Sequence, residues 1–133
     1  MSPTPVPSSG PETILLVEDD NLVRSIILRI LRDHGFVVLE AAGGPEGLLL
    51  AQQFSQRIHL LLSDLSMPVM NGMEVAQRLA AIHPETRVLF LSGYNQGVLP
   101  GEKAPDQAIA FLQKPFKADD LLQKVRGVLQ SPA

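Results

Sequence analysis

Acidic side chains follow two short apolar runs of this 133-residue chain, and a hydroxyl and an ammonium group follow two others. In chain order these polar residues are Glu18-Asp19-Asp20, Asp64, Ser92 and Lys114. Clustered carboxylates repel one another and need a counter-charge, which a divalent cation or a lysine can supply. Oxygen ligands without a thiolate favour Mg²⁺ (or Mn²⁺), which completes its coordination with phosphate oxygens. The residue types therefore indicate phosphoryl transfer, with Asp64 as a nucleophile that forms an aspartyl phosphate.

Each of these residues also has an ordinary structural interpretation. The acidic run after Val17, together with Asn21, could cap a helix, and Asp64 could cap a turn. Ser92 could hydrogen-bond to its own backbone, and Lys114 could be a solvated surface amine. A shared site is favoured because the carboxyl ends of parallel strands meet at one rim of the sheet, where open α/β folds bind ligands.

Five apolar runs predict the strands that would position these residues: 14–17, 36–39, 58–62, 88–91 and 108–112. They are nearly continuous, which is typical of strands buried on both faces of a parallel sheet. Segments 22–31, 45–54, 71–82 and 118–129 have the apolar spacing of helices. Gly and Pro interrupt residues 93–105, which predicts an irregular or shortened fourth helix there. We therefore predict an α/β domain with a doubly wound, five-stranded parallel sheet.

The composition excludes several classes of protein. The absence of Cys excludes a disulfide scaffold, a thiolate metal site and a cysteine nucleophile. A net charge of -3 offers no basic field for nucleic acid or anionic lipid. Without about 18 consecutive apolar residues, we expect a cytoplasmic protein with no membrane partner. The expected organisation is a disordered leader or linker at 1–11, one domain at 12–130 and a tail at 131–133.

The polar residues lie in motifs that resemble the receiver domain of two-component response regulators. These motifs are Leu16-Val-Glu-Asp-Asp20, Asp64-Leu-Ser-Met-Pro-Val-Met-Asn-Gly72, Leu91-Ser-Gly93 and Lys114-Pro115. The resemblance implies the flavodoxin-like strand order 2-1-3-4-5. It also implies a signalling domain rather than a turnover enzyme. A sensor histidine kinase or histidine phosphotransfer protein would phosphorylate it, and a protein-interaction surface would then switch toward an unknown target.

The same resemblance implies a role for each of the acidic residues. Asp64 is similar to the family's phosphoacceptor, whereas Asp20 lies one position outside the acidic pair and is expected to cap the helix. The Mg²⁺ ligands would be three side chains and one backbone carbonyl: Glu18, Asp19, Asp64 and the carbonyl of Ser66. Asp19 would bind the metal directly, and Glu18 would act directly or through a water molecule. Ser66 and Tyr94 are similar to the two positions that tune hydrolysis of the acyl phosphate.

The resemblance also implies roles for residues in and after the predicted fourth and fifth strands. Lys114 would bind a phosphoryl oxygen, and Pro115 corresponds to the family's cis-peptide position. Ser92 would donate its hydroxyl to the phosphoryl group. Phe111 occupies the aromatic switch position but lacks the hydroxyl of a tyrosine.

Two other functions fit parts of the pattern. A Mg²⁺-dependent phosphohydrolase of the haloacid-dehalogenase type also forms an aspartyl phosphate, but it places an acid two residues after the nucleophile, where this chain has Ser66. A flavodoxin-like flavin carrier needs a hydroxyl-rich phosphate loop after the first strand, where Glu18, Asp19 and Asp20 would repel phosphate.

The segments 91–94 and 112–116 resemble receivers attached to the C-terminus of hybrid sensor kinases, although a stand-alone regulator is also consistent with the sequence.

Overall fold

The computed structural model describes residues 11–93 and 109–130. In chain order they form β1 (Thr13–Val17), α1 (Asn21–Asp33), β2 (Val37–Ala41), α2 (Gly44–Gln53), β3 (Leu60–Asp64), α3 (Gly72–Ile82), β4 (Arg87–Ser92), β5 (Ile109–Gln113) and α4 (Ala118–Gln130). The strands form one parallel sheet with the order β2-β1-β3-β4-β5, which confirms the predicted fold class and strand order.

Some sequence predictions concern residues outside the ranges 11–93 and 109–130. The stretch predicted at 93–105 lies outside the described residues except for Gly93, and so does Tyr94 within it. The leader predicted at 1–11 lies outside them except for Pro11, and the tail at 131–133 lies outside them entirely. The domain boundaries accordingly stay predictions. Within the described ranges, no helix combines the length and apolar character needed to cross a membrane.

The sheet is buried on both faces because alternate strand residues pack into two separate apolar clusters. Leu16, Leu62 and Leu91 lie in the cluster that contains the buried residues of α1 and α4. Leu15 and Phe90 lie in the other cluster, which contains the buried residues of α2 and α3. Burying one such side chain stabilises the fold by about 1.5–3 kcal/mol. This two-sided burial explains why the strands have continuous apolar sequences rather than alternating ones.

Helix α1 has sequence-encoded signals at both ends. The Asp20 side chain accepts hydrogen bonds from the backbone N–H groups of Leu22 and Val23, which confirms its predicted capping role. After the helix, Gly35 has a φ of 91°, in the left-handed region that glycine adopts at little cost. These signals fix where the chain enters and leaves the helix, and therefore where the acidic run before it lies.

The strand boundaries differ from the hydropathy prediction at β3. The predicted run at 58–62 starts too early, because β3 begins at Leu60 and continues through two polar residues to Asp64. Ser63 pairs with Val17 and Phe90, and Asp64 pairs with Leu91. Backbone pairing does not depend on side-chain polarity, so hydropathy alone did not detect the end of this strand.

Candidate functional site

An acidic cluster lies at the rim where β1 and β3 end side by side. Glu18 and Asp19 directly follow β1, and Asp64 is the last residue of β3. One carboxylate oxygen from each of these three residues lies within 4.8 Å of the others. Glu18 is fully buried, Asp64 is 7% exposed and Asp19 is exposed. The cluster is therefore closed to solvent at Glu18 and open at Asp19.

The donor set of the cluster fits a small, hard cation. The three side chains offer only carboxylate oxygens, and the chain contains no Cys that would select a softer metal. Ser66, the predicted carbonyl ligand, is exposed in the connection between β3 and α3, two residues after Asp64. Glu18, Asp19 and Asp64 could thus hold a divalent metal ion.

Lys114 supplies a positive charge to the same rim from the end of β5. Its Nζ lies 3.0 Å from Glu18 Oε1 and 3.4 Å from Asp64 Oδ1. Its backbone N–H donates a 2.8 Å hydrogen bond to the Ser92 carbonyl, and the peptide bond between Lys114 and Pro115 is cis. Because β3 and β4 lie between β1 and β5, the lysine side chain reaches across the rim to both carboxylates.

Burial and charge shift the pKa values of all three coupled groups. Burial raises the pKa of Glu18, although hydrogen bonds from Asp20 N–H and Lys114 oppose that shift. Burial likewise raises the pKa of Asp64; the Lys114 ammonium opposes the rise, and the charge of Asp19 adds to it. Burial lowers the pKa of Lys114, but the hydrogen bond and charge of Glu18, followed by those of Asp64, raise it overall. A cation placed among the carboxylates would favour their ionised forms.

Ser92 and Phe111 lie on the two strands beyond β3. Ser92 is 5% exposed and follows Leu91, the residue that pairs with Asp64. Its hydroxyl lies 3.4 Å from the Gly93 carbonyl, a long hydrogen bond. The partly buried Phe111 ring lies 5.6 Å from the Phe90 ring, centroid to centroid, and packs against the cluster under α2 and α3. Ser92 is thus close in register to Asp64, and Phe111 contributes to the core.

The loop from β3 to α3 depends on close backbone contact at Gly72. Gly72 N–H donates a 2.9 Å hydrogen bond to the Leu65 carbonyl. A Cβ atom on Gly72 would lie 2.5 Å from the Asp64 carbonyl oxygen, closer than real Cβ atoms approach. In the same loop, Val69 is 91% exposed and has a φ of 72°, an uncommon conformation for a β-branched residue. Gly72 therefore lets the loop fold back beside Asp64.

Arg24 contacts the acidic turn, although its position in the sequence predicted no role for it. Its guanidinium donates a 2.8 Å hydrogen bond to the Glu18 carbonyl. The sequence offered one signal for this contact: Arg24 is a basic residue one turn into a helix, and that helix follows an acidic run. It was not sufficient, because its partner is a backbone atom that has no signature in the sequence.

Comparison with known proteins identifies relatives over most of the chain. Residues 14–126 match the family model described as the response regulator receiver domain. The chain is 34% identical over 122 residues to Sensor kinase CckA of Brucella abortus, which covers 92% of this chain but 13% of that protein. It is also 34% identical over 117 residues to the response regulator receiver protein CpdR of the same bacterium, covering 87% of this chain and 95% of CpdR.

Solved structures give the same result. The receiver domain of hybrid histidine kinase CckA has a TM-score of 0.75 and 36% identity, covering 89% of this chain and 99% of that chain. The Vibrio cholerae chemotaxis protein CheY4 has a TM-score of 0.73 and 29% identity, covering 90% and 99% respectively. The matches extend over β1 through α4, including the strands that carry the acidic cluster and Lys114.

Proposed function

Because the chain belongs to the response regulator receiver domain family, whose members are phosphoacceptor signalling domains, we propose that Asp64 is its phosphoacceptor. One observation carries this proposal: the Asp64 carboxylate shares a 4.8 Å cluster with Glu18 and Asp19 and lies 3.4 Å from the ammonium of Lys114. A nucleophilic carboxylate needs such surroundings, since the incoming phosphoryl group brings further negative charge. The chain lacks the second acid of a haloacid-dehalogenase-type phosphohydrolase, because Ser66 lies two residues after Asp64, where that acid would be.

The proposed reaction forms one bond and breaks one. A carboxylate oxygen of Asp64 bonds to the phosphorus of a phosphohistidine, and the phosphorus–nitrogen bond breaks, leaving the electron pair on the imidazole of the donor. The products are an acyl phosphate on Asp64 and a neutral histidine once its ring is protonated. Asp64 is 7% exposed, which limits the access of water to its carboxylate.

The surrounding residues have proposed roles in binding and charge neutralisation. Glu18, Asp19, Asp64 and the carbonyl of Ser66 would hold Mg²⁺ (or Mn²⁺), which when bound would neutralise phosphoryl oxygens. Lys114 would bind another phosphoryl oxygen through the ammonium that here contacts Glu18 and Asp64. The ammonium of Lys114 and a bound metal ion would thus both neutralise negative charge on the phosphoryl group.

We extend the proposal to the signalling output of the domain. The Ser92 hydroxyl would donate to the phosphoryl group, and repacking of Phe111 against Phe90 would carry the change toward the protein-interaction surface. Ser66 and Tyr94 would set how quickly water removes the phosphoryl group. The domain would accept its phosphoryl group from a donor and lose it slowly, without the multiple turnovers of an enzyme.

Receiver domains act with histidine kinases or histidine phosphotransfer proteins, and we propose such a cytoplasmic partner for this chain. The chain spans 13% of the kinase CckA but 95% of the receiver protein CpdR, and it is 34% identical to each. We favour attachment to a hybrid sensor kinase, given the 36% identity to the CckA receiver. A kinase-encoding reading frame continuous with this sequence would support attachment, whereas an isolated receiver gene would contradict it.

Labelling with acetyl phosphate tests the assignment of Asp64. In the presence of Mg²⁺, wild-type protein should gain the mass of one phosphoryl group, and Asp64→Asn should gain none. Asp20→Asn is the matched control, because it removes a neighbouring acid while an asparagine can still cap α1. Labelling of Asp64→Asn on the same peptide would refute the assignment, and sustained phosphate release from a small metabolite would instead indicate a phosphohydrolase.

A further inference from the structure

Arg24 on α1 joins three separate segments of the chain next to the acidic cluster. Its Nη1 donates a 2.8 Å hydrogen bond to the Glu18 carbonyl, and its Nη2 donates a 2.7 Å bond to Asn21 Oδ1. Its Nε lies 3.2 Å from Glu40 Oε1 on β2, with which it forms an ion pair. The Arg24 side chain is 17% exposed; its contact with the Glu18 carbonyl is partly buried, whereas its contacts with Asn21 and Glu40 are exposed. One guanidinium therefore links the end of β1, the start of α1 and the neighbouring strand.

The contact with Glu18 falls on the backbone of a residue whose side chain belongs to the cluster. The Glu18 N–H donates to the Ala41 carbonyl, and the Asp20 N–H donates to Glu18 Oε2. Arg24 binds the remaining polar backbone atom of Glu18, its carbonyl oxygen. Both backbone atoms of Glu18 are thus held from outside the turn, and its side chain is held by Asp20 within the turn and by Lys114 after β5.

This restraint matters because the carboxylates of the cluster repel one another. Glu18 and Asp19 occupy adjacent positions, and mutual repulsion would tend to turn the exposed Asp19 away into solvent. A planar guanidinium with several fixed donors can restrain three acceptors together, whereas a lysine ammonium acts as a mobile point charge. The ion pair with Glu40 also holds the Arg24 guanidinium next to β2.

We propose that Arg24 is a positioning residue for the acidic metal site. It holds the turn of Glu18 and Asp19 in the arrangement that binds a divalent cation, without itself contacting the metal or the phosphoryl group. The proposal rests on the proposed function, because it takes the acidic cluster to be a Mg²⁺ site. A residue that merely joined α1 to β2 would affect folding stability without affecting the affinity for Mg²⁺.

Calorimetric titration with Mg²⁺ separates these two roles when Arg24→Lys and Arg32→Lys are compared. Both substitutions retain the charge, and both lie on α1. Arg32 donates a 3.3 Å hydrogen bond to the Val38 carbonyl on β2, so its replacement loosens the same helix–strand contact without touching the acidic turn. We expect Arg24→Lys to raise the Kd for Mg²⁺ on the order of tenfold, as for residues that orient metal ligands. Arg32→Lys should leave the Kd within about twofold of wild type.

Glu40→Gln supplies a second test that does not depend on the folding of the Arg24 variant. Glu40 is 41% exposed, and its replacement removes the ion pair while keeping an oxygen that can accept from Arg24. We expect a smaller increase in Kd, about two- to threefold. Wild-type affinity in folded Arg24→Lys, or in Glu40→Gln if the lysine variant does not fold, would overturn the proposal. If wild-type protein itself binds no Mg²⁺, the proposed metal site fails first, and the role of Arg24 fails with it.

Discussion

The ion pairs of Lys114 give a quantitative prediction for the metal-free protein. Replacement of Lys114 by Gln removes the ammonium that lies 3.0 Å from the fully buried Glu18 and 3.4 Å from Asp64. At an effective dielectric constant of about 20, each pair corresponds to a Coulomb energy of about 5 kcal/mol, most of which desolvation offsets. Breaking a buried ion pair costs about 3–5 kcal/mol. Because Lys114 is 25% exposed, we expect the free energy of unfolding to fall by about 2–3 kcal/mol at neutral pH.

The loss should depend on pH through Glu18. Burial already raises the pKa of Glu18 above 4.5, and removal of Lys114 would raise it further. Between the ordinary and the raised pKa, the folded state binds more protons than the unfolded state, so stability decreases as pH rises through that window. The deficit of Lys114→Gln should therefore be greatest at neutral pH and should shrink as the pH falls toward the ordinary pKa of Glu18.

Urea denaturation in the presence of a chelator measures this effect at neutral and mildly acidic pH. In a Glu18→Gln background, Lys114→Gln should cost less than it does in the wild-type background, because only the ion pair with Asp64 remains to be broken. Lys117→Gln is the matched control, since Lys117 is exposed and lies three residues away. An equal loss in both backgrounds, or a loss that does not change with pH, would refute the role given to the Lys114–Glu18 pair.

Substitutions at two further positions, Gly72 and Asp20, test the loop and the helix cap around the site by urea denaturation. Gly72→Ala should lower the free energy of unfolding by about 1–3 kcal/mol, because the new Cβ would meet the Asp64 carbonyl. Gly127→Ala is its control: nothing lies within 4 Å of a Cβ there, so it should be neutral or stabilising by up to about 1 kcal/mol, and equal effects at both glycines would contradict the steric explanation. Asp20→Ala should cost about 1 kcal/mol and Asp20→Asn much less, and equal losses would argue against a capping role.

Much of the fold could be predicted from the sequence because its strands are buried on both faces. The apolar run that became β1 has no polar interruption, and all five residues of β1 are buried. The end of β3 could not be predicted this way, because its last two residues, Ser63 and Asp64, are polar but still pair with neighbouring strands. Strand order came from the resemblance to a family, since parallel strands carry no local signal that identifies their neighbours.

The candidate site was predictable in its residue types but not in its contacts. A carboxylate after each of two parallel strands predicts that Glu18 and Asp64 share one rim, and their oxygens lie within 4.8 Å. The shorter distance from Lys114 to Glu18 than to Asp64 depends on how the lysine crosses two strands, which spacing does not encode. Arg24 was missed for a related reason, because its bond to Glu18 ends on a backbone carbonyl.

The ion pair between Lys114 and Glu18 joins residues 96 positions apart, so neutralisation of Glu18 by this lysine requires the chain to be synthesised beyond β5. A polypeptide that ended before β5 would contain the acidic cluster and the first four strands of the sheet but would lack this ammonium. Its carboxylates would then ionise beside one another or take up protons. During synthesis in the absence of a bound cation, the charge of Lys114 would reach the site only when β5 joins the sheet, after a long loop has closed.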